Sequence, residues 1–392
     1  MFPSRLVSVL GGGAGLQNNY SLEFDGTNDY VDCGNDASVQ VTGALTLSAW
    51  IKTSNTGAVK IIVSKDNDSE RNFHLAINAS NFLSGGLFNS GTGYFATGDV
   101  NICDGAWHHV AFIFIPSTSV NVYVDAVLDA TNTTSTPAAI DNDTVNLLIG
   151  RLGEGSYDFS GNIDEVAIWN TALSAGDISA LYQSKGTSDL NDDGNSANLQ
   201  GWWRMGDGVL DDFNLIADQV NPTLGSELVT NGDMELDANW ANYAGDGDNP
   251  TANVRSTTQE HGGTYSRGVT TTDDYAGIYQ TITTISGSVY RASAWIYGDA
   301  TNKIAFQARG SSLNHFFGAS GVVAGDVYSA SWTKVEGYFI SDTTGVDIRF
   351  YAGDGEDDTF TWYIDDVSVK KVNGNPGLMT NMASDDIVKD TP

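Results

Sequence analysis

The acidic pair Asp164-Glu165, set inside an apolar run, constrains this chain more than any other feature. The stretch 161–182 reads GNIDEVAIWNTALSAGDISALY. Ile163, Val166 and Ile168 are apolar, and the acidic pair makes their alternation slip by one residue, which is how a bulge in a β-strand reads. A turn follows at Trp169-Asn170-Thr171, and then a short helix. Ser174 can cap that helix, Asp177 completes a capping-box pattern, and Ile178, Leu181 and Tyr182 form one apolar face. Gly186 is placed to end it. The motif returns as Trp362-Tyr-Ile-Asp365-Asp366-Val-Ser-Val369. Each copy reads as the last strand of a β-domain, so two β-domains are expected.

Length and composition agree. A chain of 392 residues has room for two or three domains with sizeable cores. Gly is abundant (44) and Pro scarce (7), with polar residues between short apolar runs. That texture predicts an all-β fold of two antiparallel β-sandwich (jelly-roll) domains in tandem. Leu45, Leu47, Ala49 and Ile51 alternate with Thr46, Ser48, Trp50 and Lys52, as a strand with one face on a core does. The pattern predicts an N-terminal arm over 1–19, a first domain over 20–186, a polar connector over 187–226, a second domain over 227–372 and a polar tail over 373–392.

Charge narrows the partners. Lys and Arg number 18 against 49 Asp and Glu, a net −31, which repels nucleic acid and anionic membranes. The same acids supply oxygen ligands for Ca²⁺. No apolar run is long enough to span a bilayer, so membrane insertion is not expected. The apolar patch within residues 1–10 is too short for a secretory signal. Cys33 and Cys103 read as reduced, semi-buried thiols, with a single disulfide as the alternative.

Several stretches resemble known families. FDG at 24–26, DYV at 29–31, LSAWIKT at 47–53, DGAWHHVA at 104–111, VYVD at 122–125 and IG at 149–150 fall in order. Together they resemble the laminin-G-like, concanavalin A-like lectin/glucanase jelly roll over most of residues 20–183. Ala126 departs from the Gly that family usually carries there, which puts the turn type in question. Further on, LVTNGDME at 228–235, YQTI at 279–282, YRASAWI at 290–296, WTKV at 332–335 and YIDDV at 363–367 resemble carbohydrate-binding modules of the family 4/9 kind, on a galactose-binding-like jelly roll. The combination is similar to phage virion proteins that carry glycan-binding modules.

The resemblance implies a structural calcium ion joining first strand to last: Glu235 with Asp365 in the second domain, Asp25 with Asp164 in the first. The alternative is that these acids cap turns or satisfy bulged backbone N–H groups. Asp189, Asn191 and Asp193 before Gly194 match the start of an EF-hand loop, but Gln200 stands at its twelfth position, so a solvated acidic turn is the better reading. His108 and His109 are adjacent on a strand and point to opposite faces, so they cannot chelate one ion.

No glycosidase-type Glu-x-Asp-x-(x)-Glu strand, nucleophile elbow or zinc helix motif occurs, so no enzymatic activity is expected. A sugar site needs aromatic rings for pyranose C–H faces and polar groups for hydroxyls. Trp295 and Tyr297 share one strand face, as do Arg349 and Tyr351, and these four form the expected platform. Trp50, Trp107 and Trp169 match positions that are usually structural in the resembled family. The expectation is a non-catalytic, calcium-stabilised carbohydrate-binding or adhesion protein on a virion surface or secreted. Its partners would be a cell-surface or polymeric glycan, capsid or tail proteins, and further copies of itself in a homo-oligomer. A structural decoration or fibre subunit that binds no sugar, and a divergent glycosidase, are the rivals.

Overall fold

A computed structural model describes residues 16–392, apart from 154, 209–210, 212–214, 221–222, 246–248, 300, 313, 318–325, 328 and 354–358. Residues 1–15 of the expected N-terminal arm thus lie outside the described residues. The chain divides into two compact units. Among the described residues one comprises 16–223 with 373–392, and the other 224–372.

The first unit packs two antiparallel sheets round one core. The first sheet runs in the order Val127–Asn132, Ser119–Val124, Trp107–Ile115, Leu45–Lys52, Ser160–Trp169, Ser21–Asp25, Ile387–Val388, with Leu199–Trp203 also paired to Ser160–Trp169. The second runs Leu215–Ile216, Gly377–Thr380, Tyr30–Asp32, Leu148–Ile149, Lys60–Asp66, Arg71–Ile77, Phe82–Asn89, Thr92–Asn101. Leu45, Leu47, Ala49 and Ile51 face the shared core, with Val63, Phe73 and Leu75 from the other sheet. Thr46 and Ser48 are buried as well. The reason is a second apolar layer, in which Ile178 and Leu181 of the helix Ala175–Ser184 pack with Trp169, Leu190 and Trp202 outside the first sheet. That helix has the expected capping box: the Ser174 hydroxyl accepts from the Asp177 N–H, and the Asp177 carboxylate accepts from the Ser174 N–H. Lys185 is its left-handed cap, and Gly186 follows with φ 75°.

The expected connector, as far as Thr223, and the expected tail contribute strands to this first unit, while Leu224–Glu227 pairs within the second. Trp203 faces the core and Trp202 the outer layer, as neighbours on a strand must. Met379 lies opposite Val31, and Ile387 opposite Leu22. Leu16 and Asn19, in the expected arm, bond to Thr187 and Asp207. The second unit is therefore an insertion. The chain leaves the first unit at Thr223 and returns at Asn373, whose N–H donates to the Thr223 carbonyl at 3.0 Å. Polar composition marked these segments as linkers because strand partners so distant in sequence leave no local pattern.

Both acidic pairs are bulges of one geometry. Asp164 pairs with Trp50 but Ala167 with Ser48, so the strand carries one extra residue. Asp365 pairs with Trp295 and Ser368 with Ser293, the same count. The second acid adopts a left-handed backbone in each case, Glu165 at φ 48° and Asp366 at φ 47°. The first acid accepts the N–H of the second at 2.8 Å in both. At the hairpin of the first unit, Asp125 and Ala126 both have positive φ (49° and 69°), so Ala126 takes up a turn that suits Gly. Cys33 and Cys103 are buried and unbonded.

The inserted unit is a smaller sandwich. One sheet, here the bulge sheet, runs Ala252–Ser256, Ser266–Thr271, Phe360–Val372, Val289–Tyr297, Thr333–Ile340. The other, the tyrosine sheet, runs Ala241–Ala244, Ala276–Thr283, Gly345–Ala352, Ile304–Arg309, Asn314–Phe317. Ala292, Ala294, Ile296 and Trp362 from the bulge sheet meet Ile278, Phe306, Ile348 and Phe350 from the tyrosine sheet in a single core.

Candidate functional site

The outer face of the tyrosine sheet gathers the groups a sugar requires. Along Gly345–Ala352, Val346, Ile348 and Phe350 point into the core, so Asp347, Arg349 and Tyr351 point away from it. Cross-strand partners set Tyr279 and Gln307 beside Arg349, and Thr281 beside Asp347. Tyr243 lies opposite Gly277, which lies opposite Tyr351. A Cβ at Gly277 would come within 2.0 Å of the Phe350 carbonyl, so only glycine lets the strands close there. Across that gap the rings of Tyr243 and Tyr351 approach to 5.5 Å, and Tyr275 lies 6.1 Å from Tyr351.

Arg349 is the centre of this face. Its guanidinium lies over the Tyr243 ring at 4.7 Å. Nη1 donates to the Tyr243 hydroxyl at 3.3 Å and Nη2 to Asp347 Oδ2 at 2.8 Å. Nε is buried and, among the described residues, has no hydrogen-bond partner. A buried N–H donor left unmade costs ~1–3 kcal/mol.

Trp295 and Tyr297 lie elsewhere. They point outward from the bulge sheet, on the far side of the core from Arg349 and Tyr351. The His261 ring stacks on Trp295 at 3.8 Å and 19°, and Asp366 Oδ2 holds the His261 Nδ1 at 2.8 Å. Trp332 lies edge-on to both His261 and Tyr297, at 5.7 Å from each. The four residues expected as one platform are thus two pairs on opposite faces. Alternation tells which side of its strand a residue takes, not which sheet the strand joins. Tyr279 was legible from the same alternation. Tyr243, on a four-residue strand, carried no pattern, and His261 lies in a loop.

The carboxylates expected to hold calcium divide likewise. Asp25 lies opposite Ser160, four residues from Asp164 on the same strand, or roughly 13 Å at strand rise. Asp25 Oδ1 instead accepts from the Thr27 and Asn28 N–H groups of its turn. Asp164 is fully buried and bonds to Asn18 and the Glu165 N–H. Burial, with Glu165 beside it, pushes Asp164 well above the usual carboxylate range. These two acids cannot share an ion. In the second unit the pair does converge. Glu235 Oε1 accepts from the Thr264 and Tyr265 N–H groups, and Asp365 Oδ2 from those of His261 and Gly262, so both hold one loop. Among the described residues no group of three or more His, Cys, Asp or Glu is placed to hold a metal.

The remaining motifs make hydrogen bonds and ring contacts within the first unit. Asp189 and Asp193 accept the N–H groups two residues on, as acidic turns do. His108 bonds to Asp125 and Asp104, while His109 packs under Trp50 on the other face. Glu165 is buried against Arg204 and Trp202.

The chain is thus an antiparallel sandwich with a second sandwich inserted, whose tyrosine sheet bears tyrosine and arginine side chains on its outer face. Residues 25–179 match the concanavalin A-like lectin/glucanases superfamily, and residues 226–359 match a carbohydrate binding domain family. The chain therefore carries a concanavalin A-like domain followed by a carbohydrate-binding domain of the 4/9 kind. No curated protein matches the sequence. Among solved structures, a Bacteroides ovatus protein provisionally named as carbohydrate binding is 17% identical (TM-score 0.41), the match covering 52% of this chain and 56% of that one. The Ruminococcus gnavus sialidase CBM40 bound to α2,3-sialyllactose is 19% identical (TM-score 0.34), covering 43% and 100%. A heptameric pentraxin from Limulus polyphemus is 18% identical (TM-score 0.34), covering 42% and 82%.

Proposed function

We propose that this protein is a non-catalytic glycan-binding protein and that the tyrosine-sheet face round Arg349 is its binding surface. The observation that carries this reading is the outward placement of Arg349 beside Tyr243 and Tyr279 on one face of the tyrosine sheet. The half-buried Tyr243 and Tyr279 rings offer apolar faces to sugar C–H groups, and Arg349 and Asp347 offer a donor and an acceptor to hydroxyls. Its non-catalytic nature is supported by the placement of the adjacent acids Asp164 and Glu165, which are buried in structural bonds. A glycan array on the full chain tests the function: a bound glycan supports it, and an array with no binding to any glycan favours the decoration-subunit reading.

Calcium belongs to the same proposal, restricted to the second unit. Glu235 and Asp365 would hold the ion together with carbonyl oxygens of the loop they clamp, and it would stiffen that loop. Display on a virion or other extracellular surface, with capsid or tail proteins as neighbours and self-association into an oligomer, extends the reading. The net charge of −31 supports that part, since it suits a solvated outer surface.

A further inference from the structure

The first unit has a cleft of its own, of about 340 Å³. That lies within the ~300–1,000 Å³ range of small-molecule sites. Its walls include Tyr30, Asp32, Asn67, Asn146, Leu148 and Arg151. Tyr30, Asp32 and Leu148 come from neighbouring strands of the second sheet, and Asp32 lies opposite Leu148. The loop after Leu148–Ile149 supplies Arg151 and is fastened at two points. The Arg151 carbonyl accepts from the Ser64 hydroxyl at 2.7 Å, and the Gly153 N–H donates to the Asp66 carbonyl at 2.9 Å. A Cβ on Gly153 would come within 2.6 Å of the Asn67 side chain, so glycine is what allows the loop to close on that wall.

The polar groups of this cleft are only partly used. The Arg151 guanidinium lies over the Tyr30 ring at 4.8 Å, with the side chain 13% exposed. Its Nε is 3.1 Å from Asp158 Oδ1 but out of line for a hydrogen bond. Among the described residues nothing takes a hydrogen bond from this guanidinium. Asp32 accepts from the Gly34 N–H and orients Asn146, whose Nδ2 donates to both carboxylate oxygens at 3.0 and 3.1 Å. A guanidinium over a ring, ion-paired with Asp158 but making no hydrogen bond among the described residues, an oriented amide and an apolar floor at Leu148 form a preorganised set. One cation faces two carboxylates, Asp32 and Asp158, so the cleft disfavours an anion. Hydroxyls, which both donate and accept, fit these groups better.

We propose that this cleft is a second binding site on the chain, separate from the Arg349 face, and that it takes one residue of a neutral sugar chain. Sugar C–H groups lie on Tyr30 and Leu148, and hydroxyls bond to Arg151, Asn146 and Asp32.

The test is a glycan array of neutral, sialylated and uronic oligosaccharides, followed by calorimetric titration of the hits. The proteins are full-length wild type, Arg349→Ala, and Arg349→Ala combined with either Asn146→Ala or Arg151→Gln. Asn146 is exposed, so its removal leaves the fold intact, and melting curves check the Arg151 variant. The Arg349→Ala protein should still bind neutral glycans, and each added change should weaken that binding about tenfold or more, the loss of one good hydrogen bond. Neutral binding abolished by Arg349→Ala alone would overturn the second site while leaving the proposed function standing. Residual binding indifferent to both cleft variants, or confined to acidic glycans, would also overturn it. Neutral binding lost in a cleft variant but unaffected by Arg349→Ala would support the cleft and count against the Arg349 face.

Discussion

Glu165 Oε1 accepts a hydrogen bond from Arg204 Nε at 2.9 Å, with the two side chains only 7% and 5% exposed. Trp202 Nε1 donates to the other carboxylate oxygen at 2.7 Å, and Arg204 also donates to the Gln17 and Gly186 carbonyls. The bulge that turns Glu165 out of its strand thereby ties Ser160–Trp169, which the later strands of the unit show is not its last strand, to the segment Leu199–Trp203 and the chain after it. Arg204→Ala should destabilise the first unit by ~3–5 kcal/mol, because it strands a buried carboxylate. Denaturant unfolding checks this, and a loss under about 1 kcal/mol would show the pair to be dispensable.

Removing residues 373–392 should prevent cooperative folding of the first unit. Gly377–Thr380 joins Leu215–Ile216 to Tyr30–Asp32, and Asp390 takes hydrogen bonds from Lys52 Nζ and Trp107 Nε1. Residues 224–372, with their own core, should fold alone. A truncated chain whose first unit melts as the full chain does would make the segment a tail after all.

The neighbours His108 and His109 should impose pH dependences of opposite sign. Burial pushes His109 down to about 4, and its Nδ1 has no partner among the described residues. Its unfolded value is ~6.5, so its stabilisation is full above that pH and is lost as the pH falls toward 4. The hydrogen bond to Asp125 raises His108, whose stabilisation is present below ~6.5 and is lost as the pH rises through its folded value. His109→Gln should lose less stability than wild type between pH 7.5 and 5 in denaturant titrations. An equal or greater loss would contradict the assignment.

Calcium removal should lower the melting temperature of the second unit only. Glu235→Gln should blunt that response while Asp25→Asn leaves it intact. A melt unchanged by chelator on metal-loaded protein would mean that Glu235 and Asp365 hold their loop through backbone hydrogen bonds alone.

What was legible in the sequence was local. The slip at Asp164-Glu165 read as a bulge because the strand's own apolar residues show it, and Ser174 with Asp177 read as a helix start for the same reason. Ser21 and Asp390 are 369 residues apart in sequence and hydrogen-bonded in the fold, and nothing near either one announces the other. The site followed the same rule. Arg349 and Tyr351 were placed together because they share one strand, whereas their union with Trp295 and Tyr297 required knowing the sheet partners. The Glu235 and Asp365 motifs converge on one loop, but Asp25 and Asp164 fail because register, invisible in sequence, sets them apart.

The most direct measurement is a calorimetric titration of an array-positive glycan into the full chain, with Arg349→Ala and Trp295→Ala in parallel. If the tyrosine-sheet face is the binding surface, Arg349→Ala weakens the second unit's binding by ~1–3 kcal/mol, and Trp295→Ala leaves the isotherm unchanged. Binding that survives Arg349→Ala in full and is lost with Trp295→Ala would contradict the account and move the site to the bulge sheet.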